Sequence, residues 1–179
     1  DGLEEDAKGL RALLALERTM FVASSFSKNF ALYDERVGAL SIVGADAHET
    51  ATLLSHAKAV IRSNYSNPPA HGGEIVATVL ADPALRGQWV DEVGMMRGRI
   101  NGNRGKFVAG LEAAGAPGNH EALMRQRGMF SLLPLGEERV TRLRDEYGVY
   151  VVGKGRVNVA GLTADNLGPV CEAIAAVSA

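Results

Sequence analysis

The chain has 179 residues, of which 46% are hydrophobic and 22% are charged, and its formal net charge is -2. These values are typical of a globular protein with a sizeable core, built as one large or two small domains. The near-neutral charge provides no basic field for nucleic acid or for an anionic membrane surface, and no apolar run approaches the length of a membrane span. The single cysteine, Cys171, excludes an internal disulfide framework and fits a reducing, cytoplasmic compartment.

The first part of the chain combines helix and strand patterns. Apolar residues recur at helical spacing over residues 4–16, which predicts an amphipathic helix. Residues 19–24 and 37–43 are short apolar runs that predict buried strands, and a tight connection between them would bring Arg36 back towards Lys28. Asp46 is a good N-cap for a further helix that runs to about residue 63.

We expect that helix to end at residues 64–73, because this stretch contains two prolines and two glycines, which do not favour a continued helix. A short helix is predicted over residues 74–80. Asp82 then caps, and Pro83 opens, a long helix that extends to about residue 114.

Residues 114–119 are the clearest linker, and shorter elements follow it. The pattern predicts a strand over residues 128–133, a helix over 137–147, a hairpin of strands 149–152 and 156–159, and a last helix capped by Thr163. The domain boundary is therefore predicted after residue 114, which gives domains 1–114 and 115–179.

Chemically suggestive side chains surround Lys28, which follows the first predicted strand. Ser25 and Ser27 precede it and Arg36 follows, and hydroxyls with a guanidinium fork are well suited to grip a phosphate. A lysine held partly out of water offers a nucleophilic amine. An amine beside a phosphate clamp is what pyridoxal phosphate requires. The alternative is a plain loop in which Lys28 and Arg36 are solvated.

Three segments resemble one enzyme family in the same order. Ser25-x-Ser27-Lys28-Asn-Phe-x-Leu-Tyr-x-Glu-Arg36-Val-Gly38 closely resembles the lysine segment of the aspartate/aromatic aminotransferases, which are class I, fold-type I pyridoxal-phosphate enzymes. Asn-Tyr-Ser-Asn-Pro-Pro at residues 64–69 and Gly-Arg-Val-Asn-Val-Ala-Gly at residues 155–161 resemble the same family. The resemblance implies an α/β fold: residues 1–114 form the C-terminal part of a large cofactor-binding domain, with a three-layer αβα sheet and an interdomain helix. Residues 115–179 form a smaller α+β domain.

The resemblance also implies roles around the cofactor. Lys28 forms the Schiff base with pyridoxal 5'-phosphate and, once released, moves a proton as general base and acid. Ser25, Ser27 and Arg36 hold the phosphate.

Two further arginines receive substrate-binding roles from the resemblance. Arg156 pairs with the substrate α-carboxylate, and Arg62 crosses the interface of a homodimer to bind the distal carboxylate of a dicarboxylic substrate in the partner's site. Otherwise Arg62 is a helix-terminal charge and Arg156 is an edge-strand charge that opposes aggregation. Phe130 resembles a pocket aromatic, or it belongs to the core. The four histidines and Cys171 are interpreted as structural or solvated, and no metal-ligand spacing is seen.

The implied activity is transamination between an amino acid, aspartate or aromatic, and a 2-oxo acid such as 2-oxoglutarate. The alternatives are another pyridoxal-phosphate reaction, against which Arg62 argues, and a non-catalytic domain that keeps the fold with an incomplete site. The chain begins with Asp1 and no methionine, whereas the family has a long preceding region that carries an aspartate and an aromatic of the cofactor pocket. We therefore expect a C-terminal fragment with low or no activity on its own.

Overall fold

The computed structural model of the chain describes residues 2–16 and 19–179. Asp1, Glu17 and Arg18 lie outside the described residues, so the interpretation of the chain start at Asp1 does too. The chain forms two compact units, Asp1–Gly94 and Met95–Ala179. The division falls inside a long helix, whereas the sequence predicts a domain boundary after residue 114.

The first unit opens with two short helices, α1 (Leu3–Asp6) and α2 (Lys8–Leu14). The prediction of one continuous helix over residues 4–16 is therefore wrong in detail. The leucines that suggested an amphipathic face are exposed, so this segment has no buried face to hold a single helix together.

An antiparallel hairpin follows, made of β1 (Met20–Ser25) and β2 (Gly38–Val43). Its register runs from Met20 opposite Val43 to Ser25 opposite Gly38. The loop of residues 26–37 connects the strands at the end where Ser25 pairs with Gly38. Both strands were predicted, but their burial was not confirmed. Apolar side chains on both strands are exposed, because few side chains of this chain cover the hairpin.

Helix α3 (Ala47–Asn64) begins where the sequence predicts. The Asp46 carboxylate accepts a hydrogen bond of 2.7 Å from the backbone N–H of Glu49, which is N-cap geometry. Two apolar side chains of this helix, Leu54 and Val60, are 44% and 68% exposed. The apolar stripe of α3 is thus only partly covered within this unit.

Helix α4 (Ala70–Ala81) begins four residues before the predicted start, so the glycines at 72 and 73 do not break it. Gly72 is buried, and a Cβ there would lie 2.9 Å from the Cβ of Glu35 and 3.1 Å from the Cβ of Val37. A helix can approach the loop this closely because residue 72 has no side chain. The glycine therefore serves packing rather than chain reversal.

Helix α5 (Pro83–Ala113) confirms the long predicted helix. The Asp82 carboxylate accepts hydrogen bonds of 2.8 Å and 3.0 Å from the backbone N–H groups of Ala84 and Leu85. The last turns of α5 carry Phe107 and Leu111, which are fully buried in the core of the second unit. This packing explains why the second unit starts within α5 rather than at the linker.

The second unit builds its core from α5 and the C-terminal elements. These are α6 (Glu121–Arg125), β3 (Phe130–Leu132), α7 (Gly136–Tyr147), β4 (Arg156–Asn158), a 3₁₀ helix (Val159–Gly161) and α8 (Leu167–Ser178). Helix α8 starts later than predicted, after a turn that Thr163 and Asn166 close with two reciprocal hydrogen bonds. Cys171 on α8 is buried and free, so of its two interpretations, structural or solvated, the structural one applies.

Strand β4 pairs with β3 in antiparallel register, with Phe130 opposite Asn158 and Leu132 opposite Arg156. The predicted hairpin between residues 149–152 and 156–159 is therefore wrong. Its first arm contributes a single bridge from Val152 to Arg156. A turn with positive φ at Gly153 and Gly155 joins the two arms, and beyond the bridge β4 pairs with β3 while Val159 begins the 3₁₀ helix.

The described residues thus form a mixed fold of helices with two two-stranded sheets. No helix in residues 2–16 and 19–179 is both long and apolar enough to span a bilayer.

Candidate functional site

The loop that joins β1 to β2 brings three predicted site residues together. Ser25, Ser27 and Arg36 line one cavity of about 230 Å³, together with residues of the two strand ends: Ala23, Ser24, Val37 and Gly38. The antiparallel pairing of Ser25 with Gly38 closes the hairpin at this end. Hence residues eleven positions apart in sequence reach the same cavity.

The two serines are held by hydrogen bonds to each other. The Ser25 hydroxyl donates to the Ser27 hydroxyl over 3.1 Å and accepts from the backbone N–H of Ser27 over 3.2 Å. Ser27 is buried, which fixes its position in the wall. On the opposite strand, a Cβ at Gly38 would lie 2.5 Å from the Ser24 carbonyl oxygen, so this close approach requires glycine.

Arg36 has an exposed side chain and an unusual backbone, with φ of 51°. Its Nη1 atom donates a hydrogen bond of 3.2 Å to the carbonyl oxygen of Tyr33. The left-handed conformation costs about 1–2 kcal/mol for a residue other than glycine. This strain is located at the residue that supplies the positive charge of the cavity.

Lys28 lies on the same loop, and its Nζ atom is 5.0 Å from the centre of the Tyr33 ring. The side chain is exposed, so the expectation that it is partly shielded from water is not met in this chain. The Tyr33 ring covers one side of the ammonium group. Tyr33 contacts both Lys28 and Arg36, and the sequence analysis did not single it out, although it stands in the segment that carries the family resemblance.

The residues after Lys28 are anchored to α5 within the first unit. The Trp89 indole N–H donates a hydrogen bond of 2.8 Å to the backbone carbonyl of Asn29. The Phe30 ring stacks on the Trp89 ring with centroids 4.9 Å apart, and Phe26 meets Phe30 edge-on at 5.5 Å. These contacts restrain the backbone on either side of Lys28.

Arg62 is in the last turn of α3, where its guanidinium donates a hydrogen bond to the Ser66 hydroxyl. It is exposed and does not line the cavity of Ser25, Ser27 and Arg36. The resemblance places the role of Arg62 in the site of a partner subunit. The distance of Arg62 from the cavity of its own chain therefore does not test that role.

Arg156 begins β4 in the second unit, as predicted. Its guanidinium carbon lies 4.9 Å from the centre of the Phe130 ring, a cation–π contact between the two strands. Phe130 is 39% exposed, so it is not a core aromatic. A planar guanidinium lying over an exposed ring presents its N–H groups for a carboxylate.

Arg104 is a second residue that the sequence analysis missed, and it is buried in the second unit. A signal was available, because Arg104, Phe107, Val108 and Leu111 follow the i, i+3, i+4, i+7 pattern of one helix face. Among the described residues there is no cluster of three or more His, Cys, Asp or Glu side chains that could hold a metal ion.

Comparison with known proteins identifies the family. The model of aminotransferase class I and II matches residues 1–174. The chain is 54% identical over 176 residues to the aspartate aminotransferase of Escherichia coli, and this match covers 98% of the chain and 44% of that relative. It is 45% identical over 176 residues to the aromatic-amino-acid aminotransferase of the same organism, again covering 98% of the chain and 44% of the relative.

The fold matches solved aminotransferases. An aromatic-amino-acid aminotransferase from Burkholderia pseudomallei, covalently bound to pyridoxal phosphate, superposes with a TM-score of 0.93 at 51% identity; the match covers 100% of the chain and 45% of that protein. The expected α/β fold of a pyridoxal-phosphate-dependent transferase is thereby confirmed. The chain spans less than half the length of the relatives it matches. The chain belongs to the class I and II aminotransferase family.

Proposed function

We propose that the protein containing this chain transfers amino groups between an amino acid, aspartate or aromatic, and a 2-oxo acid such as 2-oxoglutarate. In the active protein, pyridoxal 5'-phosphate is attached covalently to Lys28. The observation that carries it is the hairpin end, where Ser25, Ser27 and Arg36 line one cavity and Lys28 follows on the same loop. Family membership adds the reaction class.

The donor set of the cavity fits the phosphate of this cofactor. A phosphate dianion has several acceptor oxygens, and the cavity offers two hydroxyls and one guanidinium. The hydrogen bonds between Ser25 and Ser27 keep both hydroxyls at the same wall, and the proton that Ser25 donates to Ser27 turns to the phosphate when it binds. Arg36 supplies the positive charge, and its interaction with a phosphate is a charge-assisted one.

Lys28 serves as the attachment point and as the proton carrier. When bound, the cofactor supplies the electron sink that makes the substrate α-proton removable. The Lys28 amine, when it is free and uncharged, would accept the substrate α-proton at Nζ and deliver it to the cofactor. Lys28 directly follows Ser27 in the sequence. An amine attached next to a proposed phosphate ligand stays near the cofactor.

Arg156 and Arg62 orient the substrate in this proposal. Arg156 binds the α-carboxylate with a bidentate pair of hydrogen bonds, supported by the Phe130 ring beneath it. Arg62 binds the distal carboxylate in the partner's site of a homodimer. Exposed apolar side chains on α3, including Val60 two residues before Arg62, support an interface there.

The free buried thiol of Cys171 is in keeping with a cytoplasmic location.

A second candidate function is a non-catalytic domain that keeps the fold with an incomplete site. The exposed Lys28 side chain favours it for the chain taken alone, because a catalytic amine is normally enclosed. We therefore propose low or no transamination by the isolated chain. A normal turnover number measured on the purified 179-residue chain would contradict this.

Cofactor titration tests the proposal. The protein that contains this chain is titrated with pyridoxal phosphate and, separately, with pyridoxal, which lacks the phosphate. We expect Arg36→Ala to weaken pyridoxal phosphate binding about 10- to 150-fold, the equivalent of one charge-assisted hydrogen bond of about 1.5–3 kcal/mol, and to leave pyridoxal binding nearly unchanged. Arg86→Ala, an exposed arginine of α5, is the matched control. Equal losses for both ligands would contradict the phosphate site.

A further inference from the structure

Arg104 is unusual because its side chain is almost completely enclosed, with 2% of the residue exposed. It lies on the face of α5 that also carries Phe107, Val108 and Leu111. Arginine is rarely buried to this extent unless an acidic partner compensates the charge. A buried guanidinium therefore needs an explanation in terms of what it holds.

Among the residues that the structure describes, the hydrogen-bond partners of Arg104 are neutral oxygens. Its Nε donates to the Ser131 hydroxyl over 3.3 Å, Nη1 donates to the Asn101 side-chain oxygen over 2.8 Å, and Nη2 donates to the Gly128 carbonyl. Burial lowers the pKa of Arg104, and the nearby positive charge of Arg127 lowers that pKa further. An uncharged side chain of similar length would avoid the cost of burying this charge, so the directional hydrogen bonds are what distinguish arginine here.

Two of these partners flank Phe130 in sequence. Gly128 precedes it by two residues and Ser131 follows it directly, and Gly128 has a positive φ of 79° that turns the chain into β3. Ser131 is itself buried, so its hydroxyl is fixed in position. The guanidinium of Arg104 thus holds both sides of the segment that presents the Phe130 ring.

The Phe130 ring lies against the guanidinium of Arg156, 4.9 Å from ring centre to Cζ, and the strand that carries it pairs with β4 through Leu132 and Arg156. The contacts therefore run from Arg104 to the Gly128 and Ser131 anchors, then to the Phe130 ring and to Arg156. Arg104 reaches no carboxylate in this chain of contacts; it acts on the backbone that sets the ring.

We propose that Arg104 is a positioning residue for substrate carboxylate binding, which holds Phe130 so that its ring fixes the orientation of the Arg156 guanidinium. The inference rests on the proposed function of Arg156. It adds a residue that touches neither cofactor nor substrate yet sets the geometry of the α-carboxylate contact. The competing explanation is that Arg104 merely stabilises the second unit.

A double-mutant cycle separates the two explanations. The probe is 2-oxoglutarate, and its Kd is measured by calorimetry on the protein that contains this chain, loaded with pyridoxal phosphate. We expect Arg104→Met to weaken binding about tenfold when Arg156 is present and less than about twofold when Arg156 is replaced by alanine, since the variant then has no guanidinium left to misplace. Arg99→Met, at an exposed position of α5, is the matched control and should leave the Kd unchanged in both backgrounds.

Ser131→Ala is a second variant, which removes one anchor, keeps the buried arginine and so tests the inference even if Arg104→Met does not fold. It should weaken binding about threefold, again only when Arg156 is present. Equal losses with and without Arg156, or no loss in either variant, would overturn the inference while leaving the proposed function intact. If Arg156→Ala alone binds 2-oxoglutarate as well as the unaltered protein, the proposed role of Arg156 fails and the inference fails with it.

Discussion

The ammonium nitrogen of Lys28 lies 5.0 Å from the centre of the Tyr33 ring. The backbone carbonyl of the same tyrosine accepts a hydrogen bond from Arg36. One residue therefore contacts both the proposed attachment point and the proposed phosphate ligand. Within the loop between β1 and β2, Lys28 and Arg36 are therefore connected through contacts with the same tyrosine.

The backbone strain at Arg36 should be visible in stability measurements. Its φ of 51° favours glycine, so we expect Arg36→Gly to be more stable than Arg36→Ala by about 1 kcal/mol in urea unfolding. The same pair of substitutions at Arg86, within helix α5, should show the opposite order by about 1 kcal/mol. The same order at both positions would contradict a left-handed Arg36.

Helix α4 offers a matched pair of adjacent glycines. At Gly72 a Cβ would meet Glu35 at 2.9 Å and Val37 at 3.1 Å, whereas at Gly73 it would meet nothing within 4 Å. We expect Gly72→Ala to lower the free energy of unfolding by about 1–3 kcal/mol and to weaken cofactor binding, because it pushes on the residues that flank Arg36. Gly73→Ala should raise the free energy of unfolding by about 0.5–1 kcal/mol. Two substitutions of the same sign would refute this packing.

Trp89 should stabilise the lysine loop through two separable contacts. Trp89→Phe removes the hydrogen bond to the Asn29 carbonyl and keeps an aromatic ring against Phe30, so it should cost about 1 kcal/mol. Trp89→Leu also removes the stacking and should cost a further 0.5–1.5 kcal/mol or so. Urea unfolding followed by circular dichroism measures both, and identical costs would contradict a contribution from stacking.

The buried thiol of Cys171 should make stability depend on pH. Burial raises the pKa of this thiol above its ordinary value, so the folded state keeps the proton to a higher pH than the unfolded state. The protonated thiol therefore contributes stability that is present below the ordinary thiol pKa of about 8.5 and is lost as the pH rises towards the folded pKa. The unfolding free energy of Cys171→Ala should fall less between about pH 8 and 10, a window set by the ordinary thiol pKa of about 8.5. Parallel pH profiles for the two proteins would argue against this titration.

Features with local sequence signals were predicted well. The cap at Asp46 and the start of α5 at Pro83 depend on hydrogen bonds and backbone angles within four residues, so the sequence alone was enough. The resemblance around Lys28 likewise placed Ser25, Ser27 and Arg36 together, and the hairpin brings them to one cavity.

Features that depend on distant contacts were missed. Gly72 continues a helix because it packs on Glu35, 37 residues earlier by numbering, and no local pattern signals that approach. Strand β4 pairs with β3, which is distant in sequence, and residues 149–152 contribute only a single bridge to it. Arg104 was overlooked because a charge on an apolar helix face looks like an interruption, and two of its partners lie more than twenty residues away, in β3 and the turn before it.

The most direct test of the central claim is to find where the cofactor attaches. The protein that contains this chain is incubated with pyridoxal phosphate, reduced with borohydride, digested and analysed by mass spectrometry. We expect the reduced cofactor on Lys28, and we expect it to vanish in Lys28→Ala but not in Lys58→Ala, a lysine on the exposed side of α3. Labelling spread over other lysines, or unchanged labelling in Lys28→Ala, would contradict the assignment of Lys28.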